Sequence, residues 1–313
     1  MTRGAMTRAL IHHAPCLDLM AGLPDASVHL IVTDPPYFID GMGAGWDHQR
    51  LAGSRGRAGV VGGMPVGMRF DRQQSYDLQR FMEPVAAEMF RVIKPGGFCV
   101  SFSQGRLIHR MAVAMEDAGF EIRDLIGWVR PGQAKAQRQE HHVRKRLASG
   151  HVTQEEADRI IESMGGRKTP QLAPELEPMV LGMRPTQGTI VDNWMAHRTG
   201  LMDADARLDD RFPSNVMRVP KPVAAERGEG NDHLTVKPVR LISHLIRLFS
   251  TEGQTVLDPF LGSGSHAVAA VQEGRNFIGC DVNAAYAGIA VSRLIAAGGI
   301  PVRRGESITE VTL

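Results

Sequence analysis

The stretch Thr255-Val256-Leu257-Asp258-Pro259-Phe260-Leu261-Gly262-Ser263-Gly264-Ser265 decides the fold that we predict for this chain. Its apolar start is typical of a buried strand, and its two glycines mark a tight turn into a helix. A second strand-like run, Asn276 to Cys280, follows that helix and ends at Asp281. A strand, a glycine turn, a helix, a second strand and an acid form half of a nucleotide-binding fold. Ligands in such folds bind at the helix N-terminus and the acid.

A second corner lies far upstream, where the apolar run from Val28 to Val32 is followed by Thr33-Asp34-Pro35-Pro36-Tyr37. Apolar and β-branched residues without alternation favour a strand that is buried on both faces. The prolines restrict the backbone, so Asp34 is held at the carboxyl end of the strand, where open α/β sheets bind ligands. Asp-Pro-Pro is also an ordinary turn sequence, so this corner alone leaves a structural and a functional role equally open.

Strand-like and helix-like segments alternate between the two corners, which predicts an α/β fold with a mostly parallel sheet. The stretch after Tyr37 is rich in glycine and arginine, which is typical of a mobile loop that serves either as a connector or as a lid. The predicted sections are a first half at 1–130 with a mobile loop at 41–75, inserted regions at 131–174 and 185–232, a returning sheet strand at 175–184, and a last half at 233–313.

Composition limits the functional classes. The 313 residues are 43% hydrophobic and carry a net charge of only +2, which is too small to indicate nucleic-acid binding by itself. The three cysteines lack the spacing of metal ligands, so we expect no metal site. The sequence contains no apolar run of about 18 residues and no apolar N-terminal segment, so we expect a cytoplasmic protein without a membrane span.

Together the two corners resemble the S-adenosylmethionine-dependent DNA amino-methyltransferases, which modify adenine N6 or cytosine N4. Asp34-Pro35-Pro36-Tyr37 matches the catalytic Asp-Pro-Pro-Tyr motif of that family, and Phe260-x-Gly262-x-Gly264 matches its cofactor motif. His233-Leu234-Thr235-Val236-Lys237-Pro238 resembles the segment that precedes the cofactor motif in the β class, where the catalytic motif comes first. The resemblance implies a circularly permuted, Rossmann-like methyltransferase fold with a mostly parallel sheet, one antiparallel strand and an inserted recognition region.

The resemblance also implies roles for individual residues. Asp34 and the carbonyl of Pro35 would accept the two hydrogens of the target amine, Pro36 completes the motif, and Tyr37 would stack on a flipped-out base. The residues expected to bind S-adenosylmethionine are Asp258, Phe260, Gly262, Gly264, Ser265, Asp281, Thr235 and Lys237. Lys237 is also compatible with a surface position and Phe260 with a core position. His13-Ala14-Pro15 replaces the family's usual Gly-Asp pair, so the contact to the cofactor's adenine stays unassigned.

Double-stranded DNA is the partner that the resemblance implies, and a homodimer and a cognate restriction enzyme are compatible with it. A basic run in the first inserted region could neutralise DNA phosphates, although such runs are usually solvated surface. The phosphate-binding residues proposed there are Arg130, Lys135, Arg138, Arg144, Lys145 and Arg146. In the same region Thr153 and Glu156 form a capping box, which predicts a helix that ends at Gly165-Gly166.

These features predict a site-specific DNA methyltransferase that acts on adenine N6, because aspartate in the first position of the motif is commoner among adenine enzymes of the family. Cytosine N4 is the close alternative. An NAD-linked oxidoreductase is a remote alternative, because Gly262-x-Gly264-x-x-Ala267 also satisfies the dinucleotide fingerprint.

Overall fold

Ten strands form one mixed sheet within the residues that the computed structural model describes, which are 7–36, 72–132, 136–170, 172–227, 236–304 and 307–313. The strands are β1 Arg8–His13, β2 Val28–Thr33, β3 Ile93–Phe102, β4 Glu121–Val129, β5 Leu176–Met183, β6 Val216–Arg218, β7 Thr255–Asp258, β8 Asn276–Asp281, β9 Ile300–Arg304 and β10 Ile308–Thr312. The helices are α1 Cys16–Ala21, α2 Arg72–Val92, α3 Ile108–Asp117, α4 Glu140–Ala148, α5 Gln154–Met164, α6 Ile190–His197, α7 Ala224–Arg227, α8 Val239–Phe249, α9 Ser265–Gln272 and α10 Ala284–Ala296.

The strand order across the sheet is β6-β4-β5-β3-β2-β7-β8-β1-β10-β9. The central strands β3, β2, β7, β8 and β1 are parallel to one another, and β5 runs antiparallel to β3. This arrangement confirms the predicted α/β fold with a mostly parallel sheet and an antiparallel returning strand. A second antiparallel region, in which β10 pairs with β1 and with β9, was not predicted. The circular permutation remains a prediction.

Both faces of the central sheet are covered, as the β2 sequence indicates. Leu30 and Val32 belong to a buried cluster that includes residues of α8, whereas Ile31 belongs to a second cluster that includes residues of α2 and α3. Successive side chains of a strand point to opposite faces, so an unbroken apolar run is needed where helices cover both. The same packing fixes the position of β2 in the sheet. It therefore also fixes the position of Asp34, which directly follows β2.

Two compact units divide the chain. The larger consists of Met1–Trp128 and Glu177–Leu313 and contains nearly the whole sheet, and the smaller is Val129–Leu176. The smaller unit contains α4 and α5. The Thr153 side chain accepts a hydrogen bond from the Glu156 backbone, and Gly165 ends α5 with φ at +53°, so the predicted capped helix is confirmed. The proposed recognition role of this unit remains a prediction.

Parts of the predicted irregular regions differ in the structure. Helix α2 begins at Arg72, so the last residues of the loop predicted at 41–75 are helical, and residues 41–71 lie outside the described part of the chain. The second inserted region contains α6, whose first turn is closed by a capping box between Thr189 and Asp192. No helix among the described residues is both long and apolar enough to cross a membrane.

Candidate active site

The site lies where neighbouring parallel strands end. Thr33 of β2 pairs with Ser101 of β3, and two residues before its end β2 pairs with β7 through Ile31 and Leu257. On the other side of β7, Asp258 pairs with Gly279 of β8, two residues before Asp281. Because these strands are parallel, their carboxyl ends share one edge of the sheet. The register therefore brings the two predicted corners to the same edge.

Asp34 is held by a buried cation. The Lys237 ammonium donates a hydrogen bond to Oδ2 of Asp34 at 2.5 Å and lies 2.8 Å from Oε1 of Glu177. Only 4% of the Lys237 side chain is exposed, and the two carboxylates are also largely buried. Burial alone would lower the pKa of Lys237, but attraction to Asp34 and Glu177 and the hydrogen bonds to both outweigh burial and raise it above its ordinary value. Lys237 is therefore a cation, and it favours the ionised form of Asp34.

An aromatic ring completes the surroundings of this cation. Nζ of Lys237 lies 4.8 Å from the centroid of the Phe102 ring, at the end of β3. The negative face of an aromatic ring attracts a cation, so Phe102 adds to the stabilisation that the carboxylates give. The opposing charges are thus largely buried, which excludes the surface position that the sequence had left open for Lys237.

Asp258 is fully buried and spans the two corners by hydrogen bonds. Its Oδ1 accepts the Thr33 hydroxyl at 2.7 Å and the Phe260 backbone N–H at 3.0 Å. Its Oδ2 is 2.5 Å from Nδ1 of His266 on α9. These bonds join the end of β2 to the glycine turn and satisfy a carboxylate that would otherwise be costly to bury. The predicted contact of Asp258 with the cofactor remains a prediction.

The glycine turn has the backbone that the sequence predicts. Gly262 and Gly264 have φ values of +52° and +82°, a region that favours glycine. A Cβ on Gly264 would lie 2.5 Å from Cβ of Ala290 on α10. Gly264 is therefore required by the packing of α10 against the turn, in addition to any contact with a ligand. The Ser265 hydroxyl at the start of α9 accepts a hydrogen bond from Arg293 at 3.1 Å.

Phe260 was predicted to contact the cofactor or to pack in the core. Its side chain is partly buried against the core, and its ring centroid is 5.9 Å from that of Phe81 on α2. The core role that the sequence left open is thus present, and the cofactor contact remains a prediction.

Asp281 has the hydrogen-bond acceptors that the two hydroxyls of a ribose would need. Its Oδ2 accepts the Gly262 N–H at 2.9 Å, and its Oδ1 accepts the Asn283 N–H at 2.8 Å. A carboxylate has about four acceptor positions, so two remain for the two hydroxyls of a ribose. Burial raises the pKa of Asp281, the two N–H groups partly offset this, and the nearby charge of Asp258 raises it further. The turn and Asp281 together fit S-adenosylmethionine, because a helix N-terminus favours an anionic group and the Asp281 carboxylate can accept two hydroxyls.

Several predicted site residues either lie outside the described part of the chain or belong to the smaller unit. Tyr37, Thr235 and Lys135 lie outside the described residues. The other residues proposed to contact DNA belong to the smaller unit, where Arg144, Lys145 and Arg146 are exposed on α4. Arg138 is also exposed and forms an isolated bridge with Lys168, and the backbone N–H of Arg130 bonds to Glu175.

Sequence reasoning did not identify Glu177 or Phe102 as parts of the site. The sequence contains a signal for Glu177, because this acid directly precedes the largely apolar run from Pro178 to Met183. Phe102 gave no local signal, because an aromatic residue at the end of a buried strand is most often part of the core.

Comparisons with known proteins agree with this geometry. A family model described as DNA methylase matches residues 28–292. The type II methyltransferase M.HindIII of Haemophilus influenzae is 28% identical over 296 residues, which cover 87% of this chain and 90% of that protein. Two solved structures share the fold. The complex of M1.HpyAVI with S-adenosylmethionine has a TM-score of 0.54 and 18% identity, covering 91% of this chain and 98% of the other. The cytosine-N4-specific PvuII DNA methyltransferase has a TM-score of 0.59 and 13% identity, covering 92% and 86%.

Proposed function

Because this chain belongs to the family of N6-adenine and N4-cytosine DNA methylases, we propose that it methylates the exocyclic N6 of a specific adenine in double-stranded DNA. Family membership confirms the predicted methyl-transfer chemistry with S-adenosylmethionine as cofactor, and it favours that chemistry over the NAD-linked alternative. The choice of adenine rests on Asp34 in the first position of the catalytic motif. The single observation that carries the proposal is the Asp34 carboxylate, held by buried Lys237 at the strand edge shared with Asp281.

The chemistry explains why a carboxylate is needed there. An exocyclic amine is a weak nucleophile, because its lone pair is delocalised into the ring. Asp34 and the Pro35 carbonyl would accept the two amine hydrogens and draw the nitrogen towards a tetrahedral, more nucleophilic geometry. When bound, S-adenosylmethionine supplies an electrophilic methyl group on a sulfonium centre. Asp34 is suited to accept the hydrogens because its pairing with Lys237 keeps it ionised and oriented at the moment of reaction.

The target amine of a duplex is hydrogen-bonded inside the base stack, so the base must leave the helix before it can reach Asp34. We assign the stacking of that base to Tyr37, on the strength of its motif alone. The phosphate-contacting role of the basic run in the smaller unit belongs to the same proposal and carries no sequence readout. A homodimer, a restriction partner and a cytoplasmic location stay predictions from the sequence.

The proposal is tested by incubating the protein with DNA and S-adenosylmethionine, digesting the DNA to nucleosides and separating them by mass spectrometry. N6-methyl-2′-deoxyadenosine is expected. If N4-methyl-2′-deoxycytidine alone accumulates, the family assignment stands and the choice of adenine is wrong. If the protein methylates neither base in any DNA tested, the proposed activity itself is refuted.

A further inference from the structure

A basic pocket of about 350 Å³ lies at the N-terminal ends of α2 and α3. Arg72 and Tyr76 of α2, together with Arg106, His109 and Arg110 from the start of α3, line it, and the lining residues in the described part of the chain include no carboxylate. None of these residues belongs to the site around Asp34 and Asp281, and none was identified from the sequence.

Neutral groups orient two of these arginines. Arg106 donates to the side-chain oxygen of Gln74 at 2.8 Å, and Arg110 donates to that of Gln79 at 2.8 Å. The Arg110 guanidinium also lies 4.3 Å from the centroid of the Tyr76 ring. An amide oxygen fixes the direction of a guanidinium without cancelling its charge. The bond to Gln79 therefore orients the Arg110 guanidinium in the pocket and leaves its positive charge in place.

Other arginines of α2 are paired differently. Arg80 forms an ion pair with Asp77, and Arg91 forms ion pairs with Glu88 and Asp25. Arg110 differs from these arginines, because among the described residues the partners of its guanidinium are an amide oxygen and an aromatic ring. A planar guanidinium is suited to bind phosphate oxygens.

The pocket also lies at the functional edge of the sheet. Arg106 follows the end of β3 by four residues, and β3 neighbours β2, whose end leads into Asp34. We propose that this pocket binds a backbone phosphate of the target DNA and so positions the strand beside Asp34. This inference rests on the proposed function, deepens it by adding a contact on the larger unit, and implies no reading of base sequence.

The test measures binding of a duplex DNA fragment at several salt concentrations. Arg110→Gln and the exposed Arg72→Gln are compared with wild type, and Arg80→Gln is the matched control, because Arg80 is on the same helix but paired with Asp77. Each phosphate contact that is lost should reduce the salt dependence of log K by about 0.9. We expect weaker binding and a smaller slope in the pocket variants and neither change in Arg80→Gln.

Unchanged affinity and slope in Arg72→Gln and in the folded Arg110→Gln would overturn the inference. Arg72 is exposed at the helix start, so its substitution keeps the test valid if Arg110→Gln fails to fold. Methylation by wild type is recorded in parallel. If the pocket variants bind DNA like wild type while wild type methylates DNA, only the phosphate-binding inference fails. If wild type does not methylate DNA, the proposed function itself fails.

An independent observation concerns Glu177. Strand β5 is antiparallel to β3, and Met179 pairs with Phe102 at the end of β3. Residue 177 therefore lies beyond that end, at the same edge as Asp34, where its Oε1 reaches the Lys237 ammonium at 2.8 Å. One ammonium is thus shared between two carboxylates, and the three groups together carry one net negative charge.

We infer that Glu177 is a positioning residue for the methyl-transfer reaction, acting through Lys237. By sharing the Lys237 ammonium, Glu177 fixes the position of that ammonium. It also takes part of the positive charge that Asp34 would otherwise receive in full. Asp34 then keeps more of its negative charge for the hydrogens of the incoming amine. This inference rests on the proposed role of Asp34.

The variants Glu177→Gln and Glu177→Asp separate this role from a purely structural one. Glu177→Gln should lower kcat by about 10- to 100-fold, the range expected when a catalytic group is misplaced. KM for DNA and for S-adenosylmethionine should change little, and Glu177→Asp should recover part of kcat. Glu175→Gln is the control, because Glu175 is an exposed acid two residues away. A kcat equal to wild type, or a loss of rate that follows the unfolded fraction in a melting experiment, would refute the inference.

Discussion

The Lys237 ammonium lies 2.5 Å from Oδ2 of Asp34, although 203 positions separate the two residues in the chain. Asp34 follows β2 in the first half of the chain, whereas Lys237 precedes α8, the first helix of the last half. The pair therefore forms only when both halves are folded on the same sheet. The buried cation that pairs with Asp34 is therefore supplied by the last half of the chain.

Substitution of Asp34 by alanine should abolish methyl transfer and leave cofactor binding largely intact. The change removes the acceptor proposed for the amine hydrogen but none of the groups around Asp281, and groups of this kind contribute about 100-fold or more to rate. Methyl incorporation into DNA and calorimetric titration with S-adenosylmethionine are the two measurements. Asp117→Asn, on an exposed acid, is the control. Full activity of Asp34→Ala would disprove the assigned role.

Substitution of Lys237 by methionine should destabilise the protein. Asp34 and Glu177 would then face each other without a cation, and breaking a buried ion pair from one side costs about 3–5 kcal/mol. Urea denaturation at neutral pH measures the difference from wild type. Equal free energies of unfolding would mean that the ion cluster adds nothing to stability.

The same pair predicts how stability depends on alkaline pH. The pKa of Lys237 is raised in the folded protein above its ordinary value of 10.5, so the charged form stabilises the fold. That contribution is complete below 10.5 and is lost as the pH rises through the folded pKa. The stability difference between wild type and Lys237→Met should therefore narrow only at strongly alkaline pH. A difference that narrows already near neutral pH would be inconsistent with the raised pKa.

Local sequence patterns were sufficient to predict a helix where a residue type marks its first or last residue. Helix α9 begins directly after Gly264, as the glycine turn predicted. The capping residues Thr153 and Glu156 located α5 in the same way. Helix α6 carries an equivalent signal, Thr189 with Asp192, which the sequence analysis overlooked within a region rich in proline and charge.

The rest of the site depends on tertiary register, which no local pattern encodes. Glu177 reaches Lys237 only because β5 runs antiparallel to β3 and so brings its first residues to the carboxyl edge. The hydrogen bond between Thr33 and Asp258 likewise requires β2 and β7 to be neighbours. Sequence order alone could indicate that the two motifs belong together, but it could not show which side chains pair.

Cofactor affinity should depend on the ionisation of Asp281. Burial raises the pKa of this carboxyl, and its ionised form is the acceptor proposed for the ribose hydroxyls. Affinity should therefore fall as the pH decreases through the raised pKa, at a pH above the ordinary value of 3.8. Asp281→Asn should bind roughly 10- to 100-fold more weakly, the effect of losing hydrogen bonds to a charged group, and should lack this pH dependence. Calorimetry across the acidic range tests both points, with Asp34→Ala as the control that retains Asp281.

Substitution of Gly264 by alanine should destabilise the glycine turn. The left-handed backbone, with φ at +82°, costs an L-residue about 1–2 kcal/mol, and the new Cβ would also meet Ala290 at 2.5 Å. Gly288→Ala is the matched control, because Gly288 lies in α10 with open space around its Cβ position, where alanine should stabilise by about 0.5–1 kcal/mol. Thermal and urea unfolding should therefore move in opposite directions for the two variants.

The double variant Gly264→Ala with Ala290→Gly separates the two causes. Removing the Ala290 methyl group relieves the contact with the new Cβ but leaves the left-handed backbone unchanged. Stability should therefore recover in part relative to Gly264→Ala, after the helix-interior cost of Ala290→Gly, about 1 kcal/mol, has been measured in the single variant. If the two substitutions are simply additive, the close approach of α10 does not explain why glycine is required at position 264, and the backbone conformation alone accounts for it.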